Sequence, residues 1–168
     1  MRLRRAITCL PLIAGLLLVA GCAVTRVDGG HPLVSSDPSA ATVYFIRPFT
    51  ERYMGFADNA LAVDADRASL LKLGKGEYTL ARLQPGAVFL AAHSDTSWGA
   101  SHQIREMTRE QRFDLASGGT YFIVFRPFDG EFRGVHFEMA SVEREEAQAL
   151  GRHLRAAGAA RSAPLDKL

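Results

Sequence analysis

The sequence is short of cysteine, of unbroken apolar stretches and of excess charge, and each shortage removes a class of protein. Cys9 and Cys22 are the only cysteines in 168 residues. Cys9 falls in a segment that reads as a leader. If Cys22 is covalently modified, the folded part then has no thiol. A disulfide framework, a thiolate metal site and thiol catalysis are excluded on that basis, and stability must come from the core. The net charge is only +2, and it belongs to the N-terminus. Without Arg2, Arg4 and Arg5 the 20 basic residues fall to 17 against 18 acidic ones, a charge of −1. A near-neutral domain has no electrostatic draw to nucleic acid. The apolar stretch over residues 10–20 is broken by Pro11 and Gly15. It is too short for a transmembrane helix, which needs about 20 apolar residues. The recognisable catalytic motifs are missing too. Gly74-Lys75-Gly76 lacks the spacing of a nucleotide loop, and no Gly-x-Ser-x-Gly elbow occurs. The expectation is a protein that is not an enzyme and carries no cofactor.

What remains is an ordinary globular composition, 48% hydrophobic and 23% charged, in a chain long enough for one domain. The first 21 residues have the layout of a secretory signal: a positive start, an apolar middle and a small-residue end. They finish in Val19-Ala20-Gly21-Cys22. That ending resembles the lipobox of bacterial lipoproteins, whose cysteine takes a diacylglycerol and then an amide-linked acyl chain. Cys22 is thus the expected lipidation site and the membrane the expected partner, since several acyl chains hold where one is marginal. Ala23 rather than Asp follows, which by resemblance to lipoprotein sorting favours the outer membrane over retention at the inner one; the expected address is the periplasmic side of the outer membrane. Residues 22–40 hold Gly29-Gly30, Pro32, Ser35-Ser36 and Pro38 without apolar periodicity, and read as a flexible tether.

Residues 41–140 read as an all-β domain. Thr42, Val43, Tyr44, Phe45 and Ile46 are β-branched or aromatic throughout, and residues 87–92 and 120–125 are also apolar on both faces. These predict central, covered strands. Tyr78 to Leu83 and Val135 to Met139 read as further strands. Turn signals fall at Gly74-Lys75-Gly76, Pro85-Gly86, Gly118-Gly119 and Asp129-Gly130. Residues 93–110 are polar and read as a long loop. The pattern predicts a single antiparallel β-sandwich of Ig-like character, with no crossover helices and hence no parallel βαβ units. Residues 141–157 predict a C-terminal helix, capped by Ser141 and weakened by Gly151, and residues 158–168 a disordered tail.

The stretch from Ala41 to about Gly151 resembles a bacterial lipoprotein family known only as domain of unknown function 2846. The carrying residues are Ala41-Thr42-Val43-Tyr44-Phe45-Ile46-Arg47-Pro48, then Val63-Asp64, Leu73 with Gly76 and Tyr78, Pro85-Gly86, and Gly118-Gly119-Thr120-Tyr121-Phe122. Asp64-Ala65 stands where the family tends to show Asp-Gly. The resemblance implies an envelope lipoprotein with a β-rich domain and supplies no catalytic residues.

Several side chains invite a chemical reading and are weighed against a plainer one. His93, Asp95 and His102 share a polar stretch and have metal-ligand character, but at no regular spacing; a solvated loop explains them better, and no metal is expected. Asp58, Asp64 and Asp66 lack calcium-loop spacing and read as turn residues. His136 alternates outward on its strand, as a surface histidine does. Arg47 and Arg126 each close an apolar strand and are expected to pair with nearby carboxylates. Ile46-Arg47-Pro48-Phe49 and Phe125-Arg126-Pro127-Phe128 echo each other, which reads as two strands ending alike rather than a duplication. Trp98, with Phe49, Tyr53, Phe56 and Phe128, offers an aromatic patch for a glycan or a protein partner of the envelope, although most of these rings suit the core or its rim. The expected role is therefore a membrane-anchored envelope lipoprotein, a binding or structural module. The alternative is a small-ligand or glycan-binding module using the loops around Trp98.

Overall fold

The computed structural model describes residues 25–49, 60–98, 103–129 and 135–168, without the side chains of residues 96–98, 129 and 135. Its strands form two five-stranded sheets. In the first, β1 (Arg26–Val27), β4 (Ala68–Leu73), β3 (Leu61–Ala65), β6 (Gly86–Trp98) and β7 (Gln103–Leu115) lie side by side in that order. In the second the order is β10 (Arg155–Ala156), β5 (Glu77–Leu83), β2 (Ala41–Arg47), β8 (Thr120–Asp129) and β9 (Val135–Ser141). The expected all-β sandwich is what forms. Its pairing is antiparallel except that β2 runs parallel to β8, and β10 parallel to β5.

The sandwich core is built from one face of each strand, as the alternation of residues dictates. Val43 and Phe45 of β2, Ala81 and Leu83 of β5, Ile123 and Phe125 of β8, and Phe137 and Met139 of β9 meet Val63, Leu70, Leu73, Val88 and Leu90 of the first sheet. The other face of the second sheet is covered as well. Tyr44, Ile46, Tyr78, Leu80, Phe122 and Val124 pack under Ala147, Ala160 and Leu165. This third layer explains why β2 and the first half of β8 are apolar on both sides.

That layer corrects two expectations for the C-terminus. The helix α1 spans Arg144–Gly151 only, with Glu143 at its N-cap and no side-chain capping bond; Ser141 belongs to β9. Residues 158–168 are not a frayed tail. They form two 3-10 turns, Gly158–Arg161 and Leu165–Lys167, with Ala160 and Leu165 fully buried. Tyr44 Oη donates to the Ala163 carbonyl at 2.9 Å, and Tyr78 Oη accepts from the Leu165 amide at 3.3 Å. Gly151 is where Leu165 seats: a Cβ there would lie 2.7 Å from Leu165 Cβ.

The expected tether is corrected too. From Thr25 onward the chain is docked. Arg26 and Val27 pair with Lys72 and Leu71, and Val34 bridges to Leu83. Residues 25–35 thus run from the edge of one sheet to the other, closing a side of the sandwich whose strand edges would otherwise be open. His31 is 5% exposed and fixes this passage. Its Nε2 donates to the Ala65 carbonyl at 3.1 Å and its Nδ1 accepts from the Leu33 amide at 3.1 Å.

Residues 93–110 are likewise not a loop. They form most of a β6–β7 hairpin whose register runs from Gly86↔Leu115 to Trp98↔Gln103. The last contact of β6 with β3 is Ala62↔His93. The hairpin therefore continues about 17 Å beyond the body of its sheet, at five residues and roughly 3.4 Å each.

Candidate functional site

The outer face of the first sheet carries a shallow groove of about 590 Å³, lined by Asp64, Asp66, Arg67, Phe89, Ala91, His93 and Glu110. Three elements build it. β3 and β4 are joined by a two-residue turn, Asp66-Arg67, with φ of 46° and 68°. Two successive left-handed residues are the signature of the tight hairpin turn whose twist matches the strands. The turn is tied to β6: the Asp66 amide donates to the Phe89 carbonyl at 2.9 Å, and Asp66 Oδ1 accepts from the Phe89 amide at 3.0 Å. Phe89 itself turns outward and is 54% exposed. The apolar run 87–92 therefore has one core face, Val88, Leu90 and Ala92, and one open face.

His93 is the centre of the polar end of the groove. In the β3–β6 register it lies opposite Ala62, which makes Asp64 its diagonal neighbour on the same face. Its Nε2 sits 3.2 Å from Asp64 Oδ2, without the alignment of a hydrogen bond. Its Nδ1 contacts Glu106 Oε1 at 3.0 Å and Thr108 Oγ1 at 3.1 Å. The carboxylates of Asp64, Asp66 and Glu110 outnumber the one guanidinium, Arg67. The groove offers hydrogen-bond acceptors beside an open phenyl ring. Such a surface suits a polar ligand that presents donors along one edge and an apolar face to Phe89.

The structure thus regroups the candidates. His93 meets Asp64, not Asp95, which stands opposite Glu106 further along the hairpin and is exposed. His102, Asp58, Tyr53 and Phe56 lie outside the described residues, as do Cys22 and the Asp129-Gly130 turn's second residue. Among the described residues no set of three His, Cys, Asp or Glu side chains is arranged to hold a metal ion. Trp98 is in β6 rather than in a loop, and its backbone pairs with Gln103. Phe49, two residues past the end of β2, and Phe128 of β8 are 64% and 52% exposed and lie with the second sheet, away from Phe89. Phe128 rests on His136, its cross-strand partner, with ring centres 5.1 Å apart.

The two arginines part company. Arg126 pairs with Glu146 of α1 at 2.5 Å on the outer side, as expected. Arg47 is 1% exposed on the core side; it donates to the Leu73 carbonyl at 3.0 Å and lies 4.9 Å from the Phe137 ring centre. In the parallel β2–β8 register Ile46 stands beside Val124, not Phe125. The sequence echo is therefore one residue out of step in space, and its arginines face opposite ways.

Glu106, Glu110, Arg67 and Phe89 were not singled out from sequence. The one available signal was Phe89, apolar at an alternation position that a half-covered strand leaves open. The chain matches no family model, no curated protein and no solved structure.

Proposed function

We propose that this chain is a lipid-anchored envelope lipoprotein, acting as a non-enzymatic binding or structural module. The observation that carries the reading is Val19-Ala20-Gly21-Cys22 at the end of a secretory-type leader, with the docked residue Thr25 only three positions later. The resemblance to the domain of unknown function 2846 family, which rests on the residues quoted for it alone, points the same way. So does Ala23 after the cysteine, which favours the outer membrane over the inner one. Mass spectrometry of the N-terminal peptide tests the anchor, together with fractionation of cells carrying Cys22→Ala. Acylated Cys22 and release of the variant from the membrane are expected. An unmodified Cys22 in a membrane-free protein overturns the reading. A crosslinking pull-down of the lipidated form then tests for an envelope partner protein.

The groove supports a second reading, binding of a small polar ligand or glycan. Phe89 and the carboxylates around His93 would hold it, in place of the loops around Trp98. Titration with soluble fragments of cell-wall glycan tests this, with amide NMR shifts expected at Asp66, Phe89 and His93 and lost in Phe89→Ala. Shifts confined to the far side of the molecule overturn it.

A further inference from the structure

We propose that one end of the sandwich is a membrane-contact surface, with Phe49, Phe128 and Ile104 turned to the lipid headgroup region. The inference rests on the lipoprotein reading and adds an orientation to it. Its first support is reach. Thr25 is 6% exposed, and its Oγ1 donates to Glu77 and accepts from the Gly74 amide at 2.8 Å. It is thus fixed where β4 ends and β5 begins. It stands three positions after Cys22, and an extended chain spans at most about 3.6 Å per step, or roughly 11 Å. Lipid on Cys22 leaves this end of the domain no freedom to stand away from the bilayer.

The second support is what else lies at this end. β2 runs toward it, so Phe49 lies there, against Gly76 of the β4–β5 turn. β8 runs parallel to β2 and continues four residues past its last partner to Phe128. The β6–β7 hairpin leaves the first sheet in the same direction, because β6 is antiparallel to β3 and passes its start. Its projection of roughly 17 Å beyond Ala62 is comparable with the anchor's reach of about 11 Å beyond Thr25, which itself sits past the start of β3, so the hairpin comes to the membrane with the anchored end. Ile104 is on that hairpin and 56% exposed. Of the five large apolar side chains exposed among the described residues, Phe49, Phe128 and Ile104 fall at this end. Exposed apolar side chains cost free energy in water and gain it at the headgroup boundary, where rings settle about 5–10 Å deep.

The test uses single cysteines in the full chain, because acylated Cys22 leaves the mature protein no other thiol. Phe49→Cys, Ile104→Cys and Phe128→Cys probe the near end. Ala87→Cys and Ala116→Cys, both exposed, probe the opposite end. Each variant is labelled with an environment-sensitive fluorophore and reconstituted in phosphatidylethanolamine–phosphatidylglycerol vesicles containing brominated lipid. Near-end emission is expected to fall by about half or more, with little change at the far end, as interfacial depth requires. Equal quenching at both ends, or none at the near end, overturns the orientation while acylated Cys22 keeps the anchor. An unacylated Cys22 overturns the anchor and the orientation with it.

Discussion

Arg47 on β2 and Glu77 on β5 stand directly opposite each other in the ladder, and both are almost wholly buried, at 1% and 4% exposure. Around them Thr25 donates to Glu77, Arg155 forms an ion pair with it, and Arg47 donates to the Leu73 carbonyl. A buried charge is tolerated only where its hydrogen bonds are made, and removing one member strands the others. Glu77→Ala is therefore expected to cost about 3–5 kcal/mol in urea unfolding. Glu77→Gln keeps the shape and an acceptor and should cost distinctly less. Equal losses in the two variants would mean that the charge itself, and not the shape or the remaining acceptor, carries the contribution there.

Tyr44 and Tyr78 set an alkaline limit. Burial pushes both hydroxyls above the usual tyrosine value of 10.0. For Tyr44 the neighbouring Tyr78 adds to the rise and Arg144 opposes it; for Tyr78 the Leu165 amide opposes and Asp166 adds. A group that holds its proton more tightly when folded contributes stability that is complete below the unfolded value. That contribution is lost as the pH climbs through the folded value. Urea midpoints should accordingly fall above about pH 10, and the fall should be shallower in the double variant Tyr44→Phe, Tyr78→Phe. Each replacement also forfeits a hydrogen bond to the C-terminal layer, about 1 kcal/mol at neutral pH.

How much of this was legible follows from which signals are local. β2 and β8 announce themselves because both faces are apolar, and the sandwich follows from such strands and their turns. The layer that covers them does not: residues 155–165 dock through Ala157, Ala160 and backbone bonds, and small residues leave no periodicity. The β6–β7 hairpin escapes for the opposite reason. Almost every side chain of residues 103–112 is exposed, so neither face is apolar and a strand there looks like a loop. The segment 25–35 is held by Thr25, His31 and main-chain pairing, which composition reads as a tether. His93 and Asp64 were both visible as polar outliers. Their meeting depends on the β3–β6 register, and no window of sequence contains that.

The β3–β4 turn can be improved. Arg67 holds φ at 68°, where a Cβ meets the following carbonyl. Arg67→Gly relieves that contact at the expense of a looser unfolded chain, and a net gain of about 0.5 kcal/mol is expected. Gly76, at φ 69°, is the reverse case, because a Cβ there would fall 2.1 Å from the Phe49 ring. Gly76→Ala should cost more than 1 kcal/mol, and Phe49→Ala should recover part of the loss, which a double-mutant cycle reads directly.

Leu165 tests the third layer. It is fully buried against Gly151, and its amide reaches Tyr78. Leu165→Ala should cost about 2–5 kcal/mol, the range for a buried leucine, where a truly frayed tail would show nothing. Deleting residues 158–168 should go further, exposing Tyr44, Ile46 and Leu80 and raising binding of a hydrophobic dye.

His31 provides the matching test for the N-terminal passage. Its two ring nitrogens serve opposite roles, one donating to Ala65 and one accepting from Leu33, so an apolar replacement forfeits both. His31→Ala leaves a buried carbonyl and a buried amide to find water, at about 1–3 kcal/mol. The damage should be local. Faster amide exchange is expected at Asp28, Leu33 and Val34, whose bonds depend on this passage, while Val43 and Ile123 in the centre of the second sheet stay protected. The same variant separates docking from anchoring. With Cys22 acylated, a loosened passage of residues 25–35 lengthens the link between lipid and sandwich, and the membrane should then hold the domain less closely without losing it.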